Sequence, residues 1–259
     1  MEALRITPRL HLLDHSIGQA YLWRDDSELT LVDAGWAGSA DATTAAIRAA
    51  GLDPDRLARV VLTHGHRDHV GAAQELADRH GAEIVAHRLD APYVRGELPV
   101  PEPDLLEWER PLWEHGLTCP EAPATRVDRE VGDGEELGFG DGAVAVHTPG
   151  HTPGSMAIHL PRHGVLFAGD TVATVQGVTF GVFHVDRARA LESLRRLAEL
   201  RPSVLCCGHG PVVTQDTAER GGGPEPTPPG SRRQPTGTPA SRLSTVPRSR
   251  ARRAQRRRS

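Results

Sequence analysis

The chain contains no lysine, so all 30 of its basic side chains are arginine. That preference runs through the whole sequence and marks no local function. Cysteine is scarce: Cys119, Cys206 and Cys207 are odd in number and form no disulfide framework, which points to a reducing compartment. No stretch is long and apolar enough to span a bilayer, and residues 1–5 lead into polar, strand-like sequence rather than the apolar core of a secretion signal. These absences argue against a stapled secreted scaffold and against a membrane protein, and the expected location is cytoplasmic. Oligomeric state is not legible from the residues; a homodimer is the base-rate expectation.

What is present divides into two parts. The 259 residues carry a formal net charge of −4. Residues 220–259 hold eleven Arg and one Glu, a balance of +10 that leaves the first 219 residues at −14. From Arg220 onward the text is Gly, Pro, Ser, Thr and Arg with almost no large apolar side chains, a composition that cannot bury enough surface to offset chain entropy. Residues 1–219 are therefore expected to form one large domain, and 220–259 a disordered tail. Clustered arginine can hold a polyanion by counterion release, but the acidic body makes nucleic acid a poor partner, and a solvated extension without a role is the preferred reading of the tail.

The most specific chemistry sits in Thr63-His64-Gly65-His66-Arg67-Asp68-His69, which follows the apolar run Val60-Val61-Leu62. Three imidazoles and a carboxylate at the end of a strand are the nitrogen and oxygen donors that zinc and similar ions take. Further donors follow at glycine-marked turns: His151 in Gly150-His151-Thr152-Pro153-Gly154, Asp170 in Gly169-Asp170-Thr171 and His209 in Gly208-His209-Gly210. Seven groups suffice for two metals. His11, His80, His115 and His163 stand outside these motifs and are given no role, and Cys206 and Cys207 read as small buried residues at a strand end.

The ordered set His-x-His-x-Asp-His, Gly-His, Gly-Asp, Gly-His-Gly resembles the metallo-β-lactamase-fold hydrolases, in particular the dinuclear glyoxalase II, thioesterase and lactonase branch, over roughly residues 10–215. The resemblance implies a four-layer αββα sandwich. It also implies two divalent metal ions, zinc first, with iron or manganese as alternatives. His64, His66 and His151 would hold one, Asp68, His69 and His209 the other, and Asp170 would bridge them. A shared hydroxide would then attack a small ester, thioester or lactone. Asp68 and Asp170 are the catalytic carboxylates in this reading, Asp68 steering the proton.

Periodicity alone supports an α/β class. Strands are expected at residues 10–14, 19–24, 29–33, 60–63, 83–86, 143–147, 155–160, 165–168 and 203–206, and helices at 41–50, 70–80 and 187–200. Residues 88–125 break this rhythm, with seven prolines among Tyr93, Trp108 and Trp113. An inserted lid-like segment is expected there, too proline-rich for one long helix, and Tyr93, Trp108 and Trp113 are candidates to line the mouth of the site.

Absences also narrow the substrate. The Asp at position 170 and the His at 69 differ from the pattern of true β-lactamases of this fold. The chain also lacks the lysines with which glyoxalase II enzymes grip glutathione, and Ala173 stands where many lactonases have a tyrosine. Two other classes rank behind carbonyl-ester hydrolysis: a phosphodiesterase or nuclease, since a two-metal clamp suits displacement at phosphorus, and a mononuclear iron oxygenase of the persulfide-dioxygenase type.

Overall fold

The computed structural model of the protein describes residues 1–15 and 17–214. All of these fall in one compact unit, and the expected boundary at 219/220 and the arginine-rich tail lie outside the described residues.

Strands β1 (Ala3–Arg5), β2 (Leu10–Asp14), β3 (Gln19–Arg24) and β4 (Leu29–Val32) form an antiparallel meander. Helix α1 (Ala40–Ala49) then returns the chain so that β5 (Leu57–Val61) pairs with β4 in parallel. The short α2 (Arg67–Val70) and α3 (Ala73–His80) lead to β6 (Glu83–His87). Two further short helices, α4 (Ala91–Val94) and α5 (Arg110–Gly116), precede β7 (Arg129–Val131), which completes a seven-stranded sheet in sequence order. The second sheet contains β8 (Val144–His147), β9 (Met156–Leu160) and β10 (Val165–Gly169). After the hairpin β11 (Val172–Ala173) and β12 (Thr179–Phe180), helix α6 (Arg187–Glu199) crosses over to β13 (Val204–Cys207), followed by β14 (Val213–Thr214). The order of this sheet is β14-β13-β10-β9-β8.

Period-two alternation sorts the side chains into layers. On β3, Ala20 and Leu22 join Ile47 of α1 and Leu76 of α3 in one core, whereas Tyr21 and Trp23 point to the other face. There they meet Ile158 and Phe167 of the second sheet, so the middle core lies between the sheets. On β10 the alternation repeats: Val165 and Phe167 enter that middle core, while Leu166 and Ala168 pack with Leu197 of α6. Three cores between four layers make the expected αββα sandwich.

This stacking brings several strand ends to one edge. Asp33 follows β4, His64 follows β5, His151 follows β8, Asp170 follows β10 and His209 follows β13. Within each sheet these strands run parallel, so their carboxyl ends open on the same side, where open α/β sheets present their sites.

The structure corrects two local expectations. The helix expected over residues 70–80 is broken into α2 and α3, because Gly71 is drawn onto the loop after β4: its N–H donates to Gly35 O at 2.9 Å, and a Cβ on Gly71 would collide with Ala37 N. The strand expected at 60–63 begins and ends earlier, as β5, since Thr63 leaves the ladder and donates its N–H to Asp33 Oδ1 at 2.7 Å. The inserted segment contains two short helices, as suits a stretch too proline-rich for one long helix. Pro92 and Pro111 sit in the first turns of α4 and α5, where a missing N–H costs nothing.

Candidate metal centre

Three imidazole nitrogens converge where the loops after β5 and β8 meet. His64 Nε2 and His66 Nδ1 are 3.1 Å apart, His66 Nδ1 and His151 Nε2 2.9 Å, and His64 Nε2 and His151 Nε2 3.3 Å. The outer nitrogens dictate what these atoms carry. His151 Nδ1 lies 3.0 Å from Val182 O, and a carbonyl only accepts, so Nδ1 holds the proton and Nε2 presents a lone pair. The Thr63 hydroxyl donates to Asp33 Oδ2 at 2.8 Å and therefore accepts from His64 Nδ1 at 3.0 Å, which frees the lone pair of His64 Nε2. The Nε2 lone pairs of His64 and His151 therefore face each other across 3.3 Å and repel unless a proton or a cation lies between them. Tetrahedral zinc with nitrogens at about 2.0–2.1 Å sets its ligands roughly 3.3 Å apart, close to the observed triangle.

A second cluster adjoins it. His69 Nε2 and His209 Nε2 each lie 3.4 Å from Asp68 Oδ2. Asp170 stands between the two sets: its Oδ2 is 3.2 Å from His209 Nε2, 3.6 Å from His151 Nε2 and 4.0 Å from His64 Nε2, while its Oδ1 is 3.5 Å from His69 Nε2. His69 Nε2 and Asp170 Oδ1 are buried without a hydrogen-bond partner, as expected of atoms built to bind an ion. The donor set therefore fits divalent metal ions. All seven candidate ligands are brought together.

Electrostatics differ across the cluster. Burial depresses His64 and His151 well below the usual imidazole value and His66 to about 4, so these rings are neutral at ordinary pH. Burial works the same way on His69 and His209, but the carboxylates outweigh it: Asp68, Asp170 and Asp33 hold His69 well above its usual value, and Asp170 and Asp68 raise His209 to about 10. Conversely, burial would raise Asp68 and Asp170, yet these imidazoles pull both well below the ordinary carboxylate range.

The loops themselves require glycine at two places. Gly150 has φ +131°, and a Cβ there would strike Ala190 at the start of α6. Gly208 has no such backbone demand; its lack of a side chain leaves room for Asp170 Oδ1 and the His69 ring.

Sequence reasoning missed Asp33. Its Oδ2 accepts from His69 Nδ1 at 2.9 Å as well as from Thr63, so one buried carboxylate orients a ring in each half of the site. The residue adopts φ +58°, and its only sequence signal is a carboxylate ending an apolar strand before Ala34-Gly35. Asp90, 1% exposed, was also missed, and so was His184, which is buried 5.6 Å from the His151 ring and stacked on Phe180. Cys206 and Cys207 are buried and inert, their thiols pushed up by burial, Cys207 to about 12.

The inserted segment contributes unequally. Trp113 of α5 lies edge-on to His66 with centroids 6.0 Å apart and packs on Phe183 at 5.2 Å. One turn earlier, the fully buried Glu109 accepts from Arg187 at 2.8 Å and from Leu106 N at 2.8 Å, which clamps α5 to the segment after β12. Half-buried Tyr93 lies against Gly65. Trp108 is not brought to the cluster: it is 59% exposed, with no ring contact among the described residues.

Comparison with known proteins agrees with this geometry. The profile of the metallo-beta-lactamase superfamily matches residues 13–209, a span that contains every residue of both clusters. The chain belongs to that superfamily. Among its relatives, "Probable metallo-hydrolase YflN" of Bacillus subtilis is 29% identical over 79% of this chain and 85% of its own length. A hydroxyacylglutathione hydrolase of Cereibacter sphaeroides is 30% identical over 59% of this chain and 48% of its own. The solved structure of TTHA1623 in a di-iron-bound form superposes with TM-score 0.57 at 27% identity, covering 81% of this chain and 96% of that one. The matched span thus contains His/Asp clusters that are consistent with binding divalent metal ions. Among the described residues no helix is long and apolar enough to cross a membrane.

Proposed function

We propose that the protein is a hydrolase that uses two divalent metal ions, zinc foremost, to cleave a small ester, thioester or lactone. The observation that carries this reading is Asp170: one buried carboxylate lies within 3.2–4.0 Å of imidazoles from both halves of the cluster, the position of a bridging ligand. When bound, the ions would polarise a carbonyl and make water nucleophilic near neutral pH.

The remaining chemistry belongs to the chain. His64, His66 and His151 supply neutral lone pairs without proton release. Asp68 is the more accessible of the two carboxylates in the cluster, 17% exposed at its side chain against 9% for Asp170, and it is the group that can take a proton from an attacking water and pass it outward. Asp33 cannot do so, because three donors from Thr63 and His69 occupy its oxygens. Trp113 and Phe183 form an apolar wall beside His66, which suits a substrate whose acyl part is apolar. Similarity to a hydroxyacylglutathione hydrolase supports thioesters, although that protein is matched over only half its length.

The test is metal content per chain after purification without added metal, alongside hydrolysis of thioester, lactone, aryl ester and bis-aryl phosphate substrates. Two ions per chain with carbonyl-ester turnover is the expected result. One iron without hydrolysis, or turnover confined to the phosphate diester, sinks the proposal.

A further inference from the structure

We propose that Asp90 is a positioning residue, the latch that sets the distance between the two loops carrying the imidazoles of the first metal trio. The inference rests on the two-metal reading for the ion concerned, but the latch is a property of the chain alone.

Asp90 is the residue before α4, at the start of the inserted segment, and is 1% exposed. Its Oδ2 accepts from Gly65 N at 2.9 Å and from the Thr152 hydroxyl at 2.6 Å, and its Oδ1 accepts from Gly154 N at 2.6 Å. Gly65 lies between His64 and His66; Thr152 follows His151 directly. The same carboxylate thus grips the loop after β5 and the loop after β8 at positions directly adjoining all three rings, and again at Gly154, three residues past His151. None of its hydrogen bonds reaches Asp170 or His209.

The latch is itself rigid. Asp90 N donates to His87 O at the end of β6, and Asp90 O accepts from Tyr93 N and Val94 N in α4. Thr152 is fixed from the other side by Ser155, whose Oγ accepts from Thr152 N at 2.9 Å and lies 2.7 Å from Thr152 Oγ1. Both contacting loops come close enough to exclude side chains: a Cβ on Gly154 would strike Asp90, and one on Gly65 would press on Tyr93 Cβ at 3.3 Å. Without an acceptor at this point, two N–H groups would be buried and unpaired, the Thr152 hydroxyl would keep only Ser155, and the loops would separate to admit water. A separation of a few tenths of an ångström exceeds the tolerance of roughly 0.2 Å that metal–ligand distances allow.

Asp90→Asn preserves shape but presents an NH2 group toward a donor, so at least one bond is lost. Two measurements on the full chain test the role: zinc titration against a competing chelator, and amide hydrogen exchange of the metal-free protein. We expect one of two binding steps to weaken about 10–100-fold while the other stays within about twofold. Gly65 and Gly154 amides should exchange faster, while the Leu62 amide, which donates to Val85 O, does not change. Equal weakening of both steps, no weakening, or unchanged exchange at both glycines overturns the proposal. If Asp90→Asn does not fold, Thr152→Val decides by the same criteria, with a loss of roughly tenfold or less. A wild-type chain that takes up no metal defeats the two-metal reading instead, and the exchange result alone then judges the latch.

Discussion

His64, His66 and His151 face one another as neutral rings, whereas Asp68, His69, His209 and Asp170 interleave carboxylates with protonated imidazoles. The first half is largely buried and the second partly so, with His209 35% exposed at its side chain, and burial by itself pushes every one of these imidazoles toward the neutral form. What separates them is the carboxylate. Where Asp170 stands 3.6–4.0 Å off and other imidazoles crowd the ring, desolvation wins and the ring stays neutral; where carboxylates lie on several sides, Coulomb attraction wins and the ring keeps a proton that a cation must displace. The first half is therefore ready for metal as folded, and the second exchanges protons for it.

The strongest way to break this comparison is to remove a ring from the neutral half. His66→Ala deletes one apex of the triangle, and loss of metal-dependent turnover should exceed the roughly 10–100-fold typical of a change outside the ligand set. Metal analysis should show the second-half ligands still binding; retention of two ions at wild-type affinity would contradict the assignment.

Proton displacement sharpens the contrast. His209 titrates near 10 in the metal-free fold against an ordinary value of 6.5, so its contribution to metal-free stability is full below about 6.5 and is lost as the pH rises through about 10. Metal uptake by the second half should move in the opposite sense, strengthening by up to about tenfold per pH unit for each proton displaced, while uptake by the first half stays nearly flat above neutral pH. Calorimetry in buffers of different ionisation enthalpy reads the protons released directly. Asp68 and Asp170, held well below 3.8, add stability that is present above that value and disappears as the pH falls through their lowered range.

Asp33 offers a change that should not discriminate. It orients His64 through Thr63 and His69 directly, so Asp33→Asn should weaken both binding steps, each by about 10–100-fold. A chelator titration with only one affected step would show that the two halves are oriented independently. Trp113→Ala should have the smallest effect, leaving metal content intact and reducing kcat/KM for long-chain acyl esters by about tenfold relative to acetate esters, as expected for loss of part of an apolar contact surface. An unchanged chain-length profile would remove Trp113 from the substrate wall.

Much of this site was legible because metal ligands come as dense local motifs. His64 to His69 lie within six residues, and the other donors are flagged by glycines whose turns the chain needs. Periodicity carried the α/β class and the resemblance carried the sandwich; the structure adds the sorting within β3 and β10, where successive residues face different cores. The supporting carboxylates were not, since Asp33 and Asp90 look in sequence like any aspartate at the end of a strand or the start of a helix. Their partners lie 25 to 64 residues away, at Thr63, His69, Gly65, Thr152 and Gly154. Trp113 and Trp108 likewise have the same composition and surroundings on paper, and only the Glu109–Arg187 clamp distinguishes the one beside His66 from the one in solvent.

Sequence alone thus determined the α/β class and picked out the seven residues that the fold brings together, because periodicity and ligand chemistry are local properties. Tertiary structure alone decided which imidazoles are neutral and which are charged, which carboxylates orient rather than ligate, and which aromatic borders the site. Those outcomes depend on burial and on distances between segments far apart in the chain, and neither exists until the two sheets have stacked.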